Sequence, residues 1–141
     1  MKQSIFMGTT SVPANQTIGE ISSCLIRAGA TQIATDFAPG GKAEAVRFGL
    51  NVAGIPQPVY FRLPCRTAKL LRLLRNDAAQ AERTAWRQVL RWVQAQMAMI
   101  DVGMIQTHEV FMPYAVIPGT DQTMFQAWES QKQLPAPQEA A

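Results

Sequence analysis

Alternating apolar and polar residues in the first half of the chain predict a small β-sheet. Between residues 44 and 52 every second residue is apolar, whereas the residues between them include arginine, glycine and asparagine. This period of two is typical of a strand with one buried face. Residues 31–38 and 58–63 predict two further strands, and Pro39-Gly40-Gly41-Lys42 and residues 54–57 are typical turns. Three strands with short connections predict an antiparallel meander.

A helical spacing of apolar residues precedes the predicted strands. Isoleucine, leucine and alanine recur at positions 18, 21, 25 and 28, so we expect a helix over residues 17–28. Thr17 and Glu20 match the capping-box pattern, in which both side chains satisfy free backbone N–H groups at a helix start. A start at Pro13 is also compatible with the sequence. Gly29 is placed to end this helix in the left-handed conformation.

The middle of the chain has a helical period. Closely spaced leucines predict one helix over residues 65–75, and Asn76-Asp77 is typical of a break followed by an N-cap. A second helix is expected over residues 78–101, ended by Gly103. Its broad apolar stripe consists of Ala85, Trp86, Val89, Leu90, Val93, Met97 and Ile100. A helix of that length spans about 36 Å, and we expect a partner subunit to cover part of it.

The ends of the chain predict shorter elements. We expect short strands over residues 5–7 and 110–114, a last helix over residues 123–132, and a disordered tail over residues 134–141. The full pattern predicts one α+β domain over residues 1–133. This domain has an N-terminal helix, an antiparallel β-meander, a long basic helical hairpin, and a short C-terminal strand and helix.

The composition narrows the class of protein. Apolar residues make up 48% of the 141 residues and charged residues only 16%, which predicts a folded domain with neutral polar surface or with surface hidden in a homo-oligomer. No apolar stretch reaches the 18 residues that a membrane span needs, so we expect no membrane-spanning helix and no membrane partner. The N-terminus does not match a signal peptide, and two distant cysteines fit a reducing cytoplasm.

Positive charge is concentrated in one segment. Residues 62–91 contain eight basic and two acidic residues, a net charge of +6, whereas residues 92–141 have a net charge of −4. This concentration favours a phosphate-bearing partner. Two alternatives remain open: a solvated helical face, and arginines that pair with the acidic C-terminal third.

Two groups of basic residues are candidate ligand-binding residues. Arg83, Arg87 and Arg91 (the arginine row) recur every four residues, so they share one helix face and require anions nearby. Trp86 and Trp92 lie close to them in sequence and are candidates for stacking on a base, although tryptophans at helical spacing are usually core residues. The second group lies before and at the start of the preceding helix and consists of Arg62, Arg66 and Lys69.

Residues suited to catalysis are scarce. His108 is the only histidine, and with Glu109 it forms the one candidate acid–base pair. Cys24 is predicted to be a small core residue, and Cys65 follows Pro64 near a helix start, where a thiolate is stabilised. One histidine and two distant cysteines are poor material for a zinc site. We therefore expect no metal, no cofactor and no enzymatic activity.

Several segments resemble a family of small bacteriophage and prophage proteins. The matching pieces are residues 17–21 (TIGEI), 29–30 (GA), 61–64 (FRLP), 85–87 (AWR), 91–96 (RWVQAQ) and 109–114 (EVFMPY). The resemblance implies a phage origin and a setting inside the bacterial host cell. It carries over no activity and no functional residue.

Three functions are compatible with these features. The first is a non-enzymatic binding protein for phosphate-bearing ligands; in a phage setting, one form is an oligomeric sponge that sequesters a host immune signal such as a cyclic nucleotide. The second is an accessory protein of phage recombination or replication that binds single-stranded nucleic acid. The third is a structural or partner-binding protein whose arginines pair with its own acidic tail.

Overall fold

The α+β class is confirmed by the computed structural model, which describes residues 4–132. The predicted tail over residues 134–141 lies outside the described residues. The elements in chain order are α1 (Ala14–Arg27), β1 (Gln32–Phe37), β2 (Ala43–Leu50), β3 (Val59–Pro64), α2 (Ala68–Leu73), α3 (Ala78–Asp101), α4 (Thr107–Phe111), a 3-10 turn (Met112–Tyr114) and α5 (Met124–Gln131).

The N-terminal region departs from two predictions. Residues 5–7 are not a strand: the Gly8 N–H donates to the Ile5 carbonyl over 2.8 Å in a tight turn. Helix α1 starts about one turn before Thr17, with Pro13 as its N-cap residue. The predicted capping box of Thr17 and Glu20 is therefore wrong. Instead, the Thr17 hydroxyl donates to the Pro13 carbonyl within the helix. Gly29 does end α1 with a positive φ of 107°, as predicted.

The three strands form an antiparallel sheet in the order β1-β2-β3. Phe48 lies opposite Phe61 across β2 and β3, and their rings stack with centroids 5.1 Å apart. This face of the sheet joins the hydrophobic core. On the other face, Arg47 lies opposite Arg62 and Gly49 lies opposite Tyr60.

The predicted helical hairpin is present, and its two helices differ in length. Helix α3 occupies residues 78–101, as predicted, and the Asp77 side chain accepts a hydrogen bond from the Gln80 N–H at its start. Helix α2 is shorter than the predicted 65–75 and contains no fully buried residue. The turn between the helices has two successive left-handed residues, Arg75 and Asn76.

The strand predicted over residues 110–114 is not present. Residues 107–111 form helix α4, and residues 112–114 form the 3-10 turn. The Glu109 carboxylate accepts a hydrogen bond from the Gln106 N–H at the start of α4, and Pro113 has no N–H to donate to a sheet. Extended pairing begins one residue later, where Ala115 bridges Phe61 at the edge of β3. Helix α5 starts at a Thr123 cap, close to the predicted boundary.

One hydrophobic core unites α1, the inner face of the sheet, α3 and α4. Its largest fully buried side chains include Trp86, Phe48, Phe61 and Phe111. The opposite face of the sheet carries Arg47 and Arg62 together with Tyr60, and these residues contribute to the site below. Within residues 4–132, no helix has both the length and the apolarity needed to cross a membrane.

Candidate functional site

The central member of the arginine row is a structural residue. Arg87 is only 9% exposed, and its guanidinium donates to the Glu20 carboxylate over 2.8 Å and to the Thr17 hydroxyl over 3.3 Å. Both partners belong to α1. The prediction of Arg87 as a phosphate ligand is therefore wrong, because its charge is already neutralised inside the fold. The alternative hypothesis, that the arginines pair with the acidic C-terminal third, does not hold for Arg87, because its partner Glu20 lies in α1.

The two outer arginines of the row each contact a glutamine of the same helix. Arg83 donates to the Gln80 amide oxygen over 2.6 Å, and Arg91 donates to the Gln94 amide oxygen over 2.7 Å. Both arginines are half-buried. Because Arg87 between them is committed to Glu20, the row does not present three consecutive guanidinium groups to a ligand.

The two tryptophans of α3 have different environments. Trp86 is completely buried in the core, so the prediction that it stacks on a ligand is wrong. Trp92 is 36% exposed, and its ring meets the edges of Phe111 and Tyr114 with centroids about 6 Å apart. Only Trp92 keeps an exposed ring surface.

Two members of the second predicted group meet at the end of β3, whereas Lys69 lies outside their pocket, exposed on α2. Arg62 and Arg66 line an open pocket of about 220 Å³. Its other polar side chains come from residues far away in sequence and include Glu44, Tyr114, Thr123 and Gln126. The pocket therefore combines two cations with hydroxyl and amide groups, and one carboxylate opposes them. Sequence reasoning found the arginines and missed the rest, since nothing local links residue 62 to residue 126.

Arg62 is also part of an ion-pair cluster on the outer face of the sheet (the Arg47–Asp36–Arg62 cluster). A single carboxylate oxygen of Asp36 accepts from Arg47 Nε over 2.7 Å and from Arg62 Nε over 3.0 Å. Partial burial alone would raise the pKa of Asp36, but the hydrogen bonds and charges of the two arginines outweigh it and lower that pKa. Arg62 also lies 3.5 Å from Glu44. Glu44 is thus a competitor for any anion that approaches Arg62.

Helix α2 and its flanks carry cations that remain open to solvent. We name four exposed side chains the α2 basic surface: Arg66, Lys69, Arg72 and Arg75. Within residues 4–132, no carboxylate oxygen lies within 4.0 Å of their charged nitrogens. The sequence explains this, because residues 45–76 contain no aspartate or glutamate. The α2 basic surface is continuous with the pocket through Arg66.

Two of the residues considered for catalysis, Cys65 and Glu109, are committed to the fold. Burial raises the pKa of the Cys65 thiol to about 12, so the predicted stabilisation of a thiolate at this position is wrong. The Glu109 carboxylate binds the backbone at the start of α4. Across residues 4–132, no cluster of three or more histidine, cysteine, aspartate or glutamate side chains is arranged to hold a metal ion.

A larger groove lies beside β3 and was not predicted. It measures about 840 Å³ and is lined mostly by apolar side chains of the loop before β3 and of residues 112–124. Tyr60, Met112 and Met124 are each more than 40% exposed there. Arg47, Thr120 and Asp121 supply polar groups. The groove could not be predicted from the sequence, because its two walls are more than 50 residues apart along the chain.

The geometry thus yields a small cationic pocket, an open basic surface and an apolar groove on neighbouring parts of the molecule. The chain was compared with protein-family models, curated proteins and solved structures, and no match was found.

Proposed function

We propose that this protein is a non-enzymatic binding protein for phosphate-bearing ligands. The α2 basic surface carries the proposal: it comprises four exposed cations without an acidic partner in the described part of the chain, next to a pocket that contains two arginines. Unpaired cations in such proximity repel one another, so a bound polyanion would stabilise them. Arginine adds specificity, because its planar fork donates two parallel hydrogen bonds to a phosphate.

The size of the pocket limits how a ligand can bind. Pockets that enclose a drug-sized molecule measure about 300–1,000 Å³, and this pocket measures about 220 Å³. It therefore suits one phosphate group rather than a whole dinucleotide. Further phosphate groups of the ligand would extend over α2, where Lys69 and Arg72 offer contacts.

Two sources of phosphate fit this chemistry. One is a nucleotide signal of the host, sequestered by an oligomeric sponge as the phage resemblance suggests. The other is single-stranded nucleic acid, as in an accessory protein of recombination or replication. The second is favoured by the arrangement of the cations, which follow an exposed helix rather than surround a closed cavity.

The experiment measures the affinity of a labelled 15-nucleotide single strand and of a cyclic dinucleotide for the wild type and for Arg66→Gln/Lys69→Gln. We expect the double variant to lose at least about tenfold in affinity. Arg27→Gln/Lys132→Gln is the matched control, since it removes the same charges from exposed positions on α1 and at the end of α5. We expect the control to lose less than about threefold.

Salt dependence separates the two ligands. Binding to a single strand should weaken steeply with salt, because each neutralised phosphate releases a counterion. A dinucleotide with one or two contacts should show a shallow dependence. Native mass spectrometry of the same samples reports the oligomeric state and any retained nucleotide. The proposal fails if the wild type binds neither probe, or if the control variant loses as much affinity as the test variant.

A further inference from the structure

The apolar groove and the cationic pocket meet at the Arg47–Asp36–Arg62 cluster. Arg47 lines the groove, and Arg62 lines the pocket. The two arginines lie directly opposite each other on β2 and β3, and both donate to the same oxygen of Asp36. A ligand that reaches from the pocket into the groove therefore needs to pass only one pair of neighbouring side chains.

The groove has the chemistry of a site for a flat ring with polar edges. Tyr60 is 45% exposed, and its ring lies over Gly49, where a Cβ atom would come within 3.2 Å of the ring. The absence of a side chain at position 49 thus lets the Tyr60 ring lie close to the sheet. Ile55 and Met112 add apolar surface, whereas Thr120 and Asp121 add a hydroxyl and a carboxylate. The Thr120 hydroxyl donates to the Ile117 carbonyl and accepts from the Gln122 N–H, so the Asp121 carboxylate is the group of this wall that is left to face the polar edge of a ring.

Charge and spacing indicate where an attached anion would lie. Tyr60 and Arg62 are two residues apart on the same face of β3, a distance of about 7 Å. The groove has one cation and one carboxylate, Arg47 and Asp121. The pocket has Arg62, which Glu44 opposes at 3.5 Å, and the unpaired Arg66, so Arg66 is its main attraction for an anion. Positive charge therefore increases from the groove towards the pocket, which matches a ligand with a neutral ring at one end and a phosphate at the other.

We propose that the groove binds the base of a nucleotide, free or within a single strand, whose phosphate occupies the Arg62–Arg66 pocket. Tyr60 stacks on the base, and the Asp121 carboxylate accepts hydrogen bonds at its edge. This inference rests on the proposed function and names the ligand class of the same site. Stacking of a base on an aromatic side chain corresponds to about five- to hundredfold in affinity.

The test compares ligands that share a phosphate and differ in the base. Isothermal titration measures the affinities of ribose 5-phosphate, of the four ribonucleoside monophosphates, and of decyl phosphate for the full chain. We expect at least one nucleotide to bind at least about fivefold more tightly than ribose 5-phosphate. Tyr60→Ala should remove this difference, whereas Tyr60→Phe should keep it, because stacking needs the ring and not the hydroxyl. Phe37→Ala, which removes an exposed ring from β1, is the control and should change nothing.

The outcomes separate this inference from the proposed function. If ribose 5-phosphate binds as well as every nucleotide, or if Tyr60→Ala leaves the difference intact, the base does not lie in the groove, and the phosphate proposal stands on the Arg66 and Lys69 variants. Tighter binding of decyl phosphate than of every nucleotide overturns the inference in favour of an alkyl site. If no phosphate-bearing probe binds, both proposals fail together.

Discussion

The arginines of α3 recur every four residues and the cations around α2 every three, and the structure gives these two helical rows of positive charge different roles. Helix α3 packs against α1, and both contribute to the core, so Arg87 is buried and meets Glu20 and Thr17 of α1. Helix α2 contains no fully buried residue, and its cations have no acidic partner within residues 4–132. A row of like charges therefore indicates a need for anions, and the neighbouring element decides whether the protein itself supplies them.

The physical basis of this contrast is burial. A cation removed from water needs a partner, because the low dielectric of the interior makes an isolated charge costly. The same charge on an exposed helix is solvated and screened, so it can remain unpaired at little cost. We therefore expect substitutions in α3 to lower stability and substitutions around α2 to lower ligand affinity.

The largest expected effect on stability concerns Trp86, a core residue of α3. Trp86→Ala should lower the free energy of unfolding by about 3–5 kcal/mol, because it removes a fully buried aromatic side chain. Leu73→Ala in α2, where the side chain is 55% exposed, should change it by less than about 0.5 kcal/mol. Urea denaturation followed by circular dichroism measures both. If Trp86→Ala does not fold, Trp86→Phe tests the same direction, and wild-type stability in that variant would contradict the core assignment.

A smaller effect is expected for the buried arginine. Arg87→Ala should lower the free energy of unfolding by about 2–3 kcal/mol, because it leaves Glu20 unpaired and removes a packed side chain. Arg91→Ala removes the same charge from the same helix and should lower it by less than about 0.5 kcal/mol. A double-mutant cycle with Glu20→Gln measures the coupling directly. Equal stability of the two arginine variants, together with lost ligand binding in Arg87→Ala alone, would return Arg87 to the ligand site.

The smallest expected effect concerns the carboxylate beside the pocket. The lowered pKa of Asp36 means that ionised Asp36 stabilises the folded state at pH values above its unfolded pKa, which is about 3.9. This stabilisation is lost as the pH falls through the folded pKa. Asp36→Asn should therefore be less stable than the wild type by about 1–2 kcal/mol at pH 7, and the difference should shrink as the pH falls through the lowered pKa of Asp36 in the folded state.

Thermal or urea unfolding between pH 2.5 and 7 checks this behaviour. Asp101→Asn is the control for the loss of one negative charge, since Asp101 is exposed and has no ion pair within residues 4–132. A stability difference between Asp36→Asn and the wild type that stays constant across this range would show that the ion-pair cluster does not contribute in the expected way.

Local signals predicted most helices and strands. The Asp77 cap, the Gly29 end of α1 and the alternation along β2 each act over a few residues, so the sequence carries them directly. The two wrong strands, over residues 5–7 and 110–114, failed on local turns and caps, whereas the wrong capping box failed because a distant partner competed with a local pattern. Glu20 matches a capping box with Thr17, yet it binds Arg87, 67 residues further along the chain.

The candidate site was predictable in part for the same reason. Arg62, Arg66 and Lys69 stand out in the sequence because no acidic residue separates them. The groove beside Tyr60 did not stand out, because its second wall is supplied by residues 112–124. The membership of a pocket depends on which segments pack together, and a charge pattern does not contain that information.

The sequence by itself determined the α+β class, the boundaries of α3 and the concentration of positive charge before and within α2. These properties follow from periodicity, capping and composition, which act locally along the chain. Only the tertiary structure decided that Arg87 and Trp86 are buried while Arg66 and Lys69 are exposed. Burial is set by contacts between elements distant in sequence, and burial determines whether a cation stabilises the fold or remains available to a ligand.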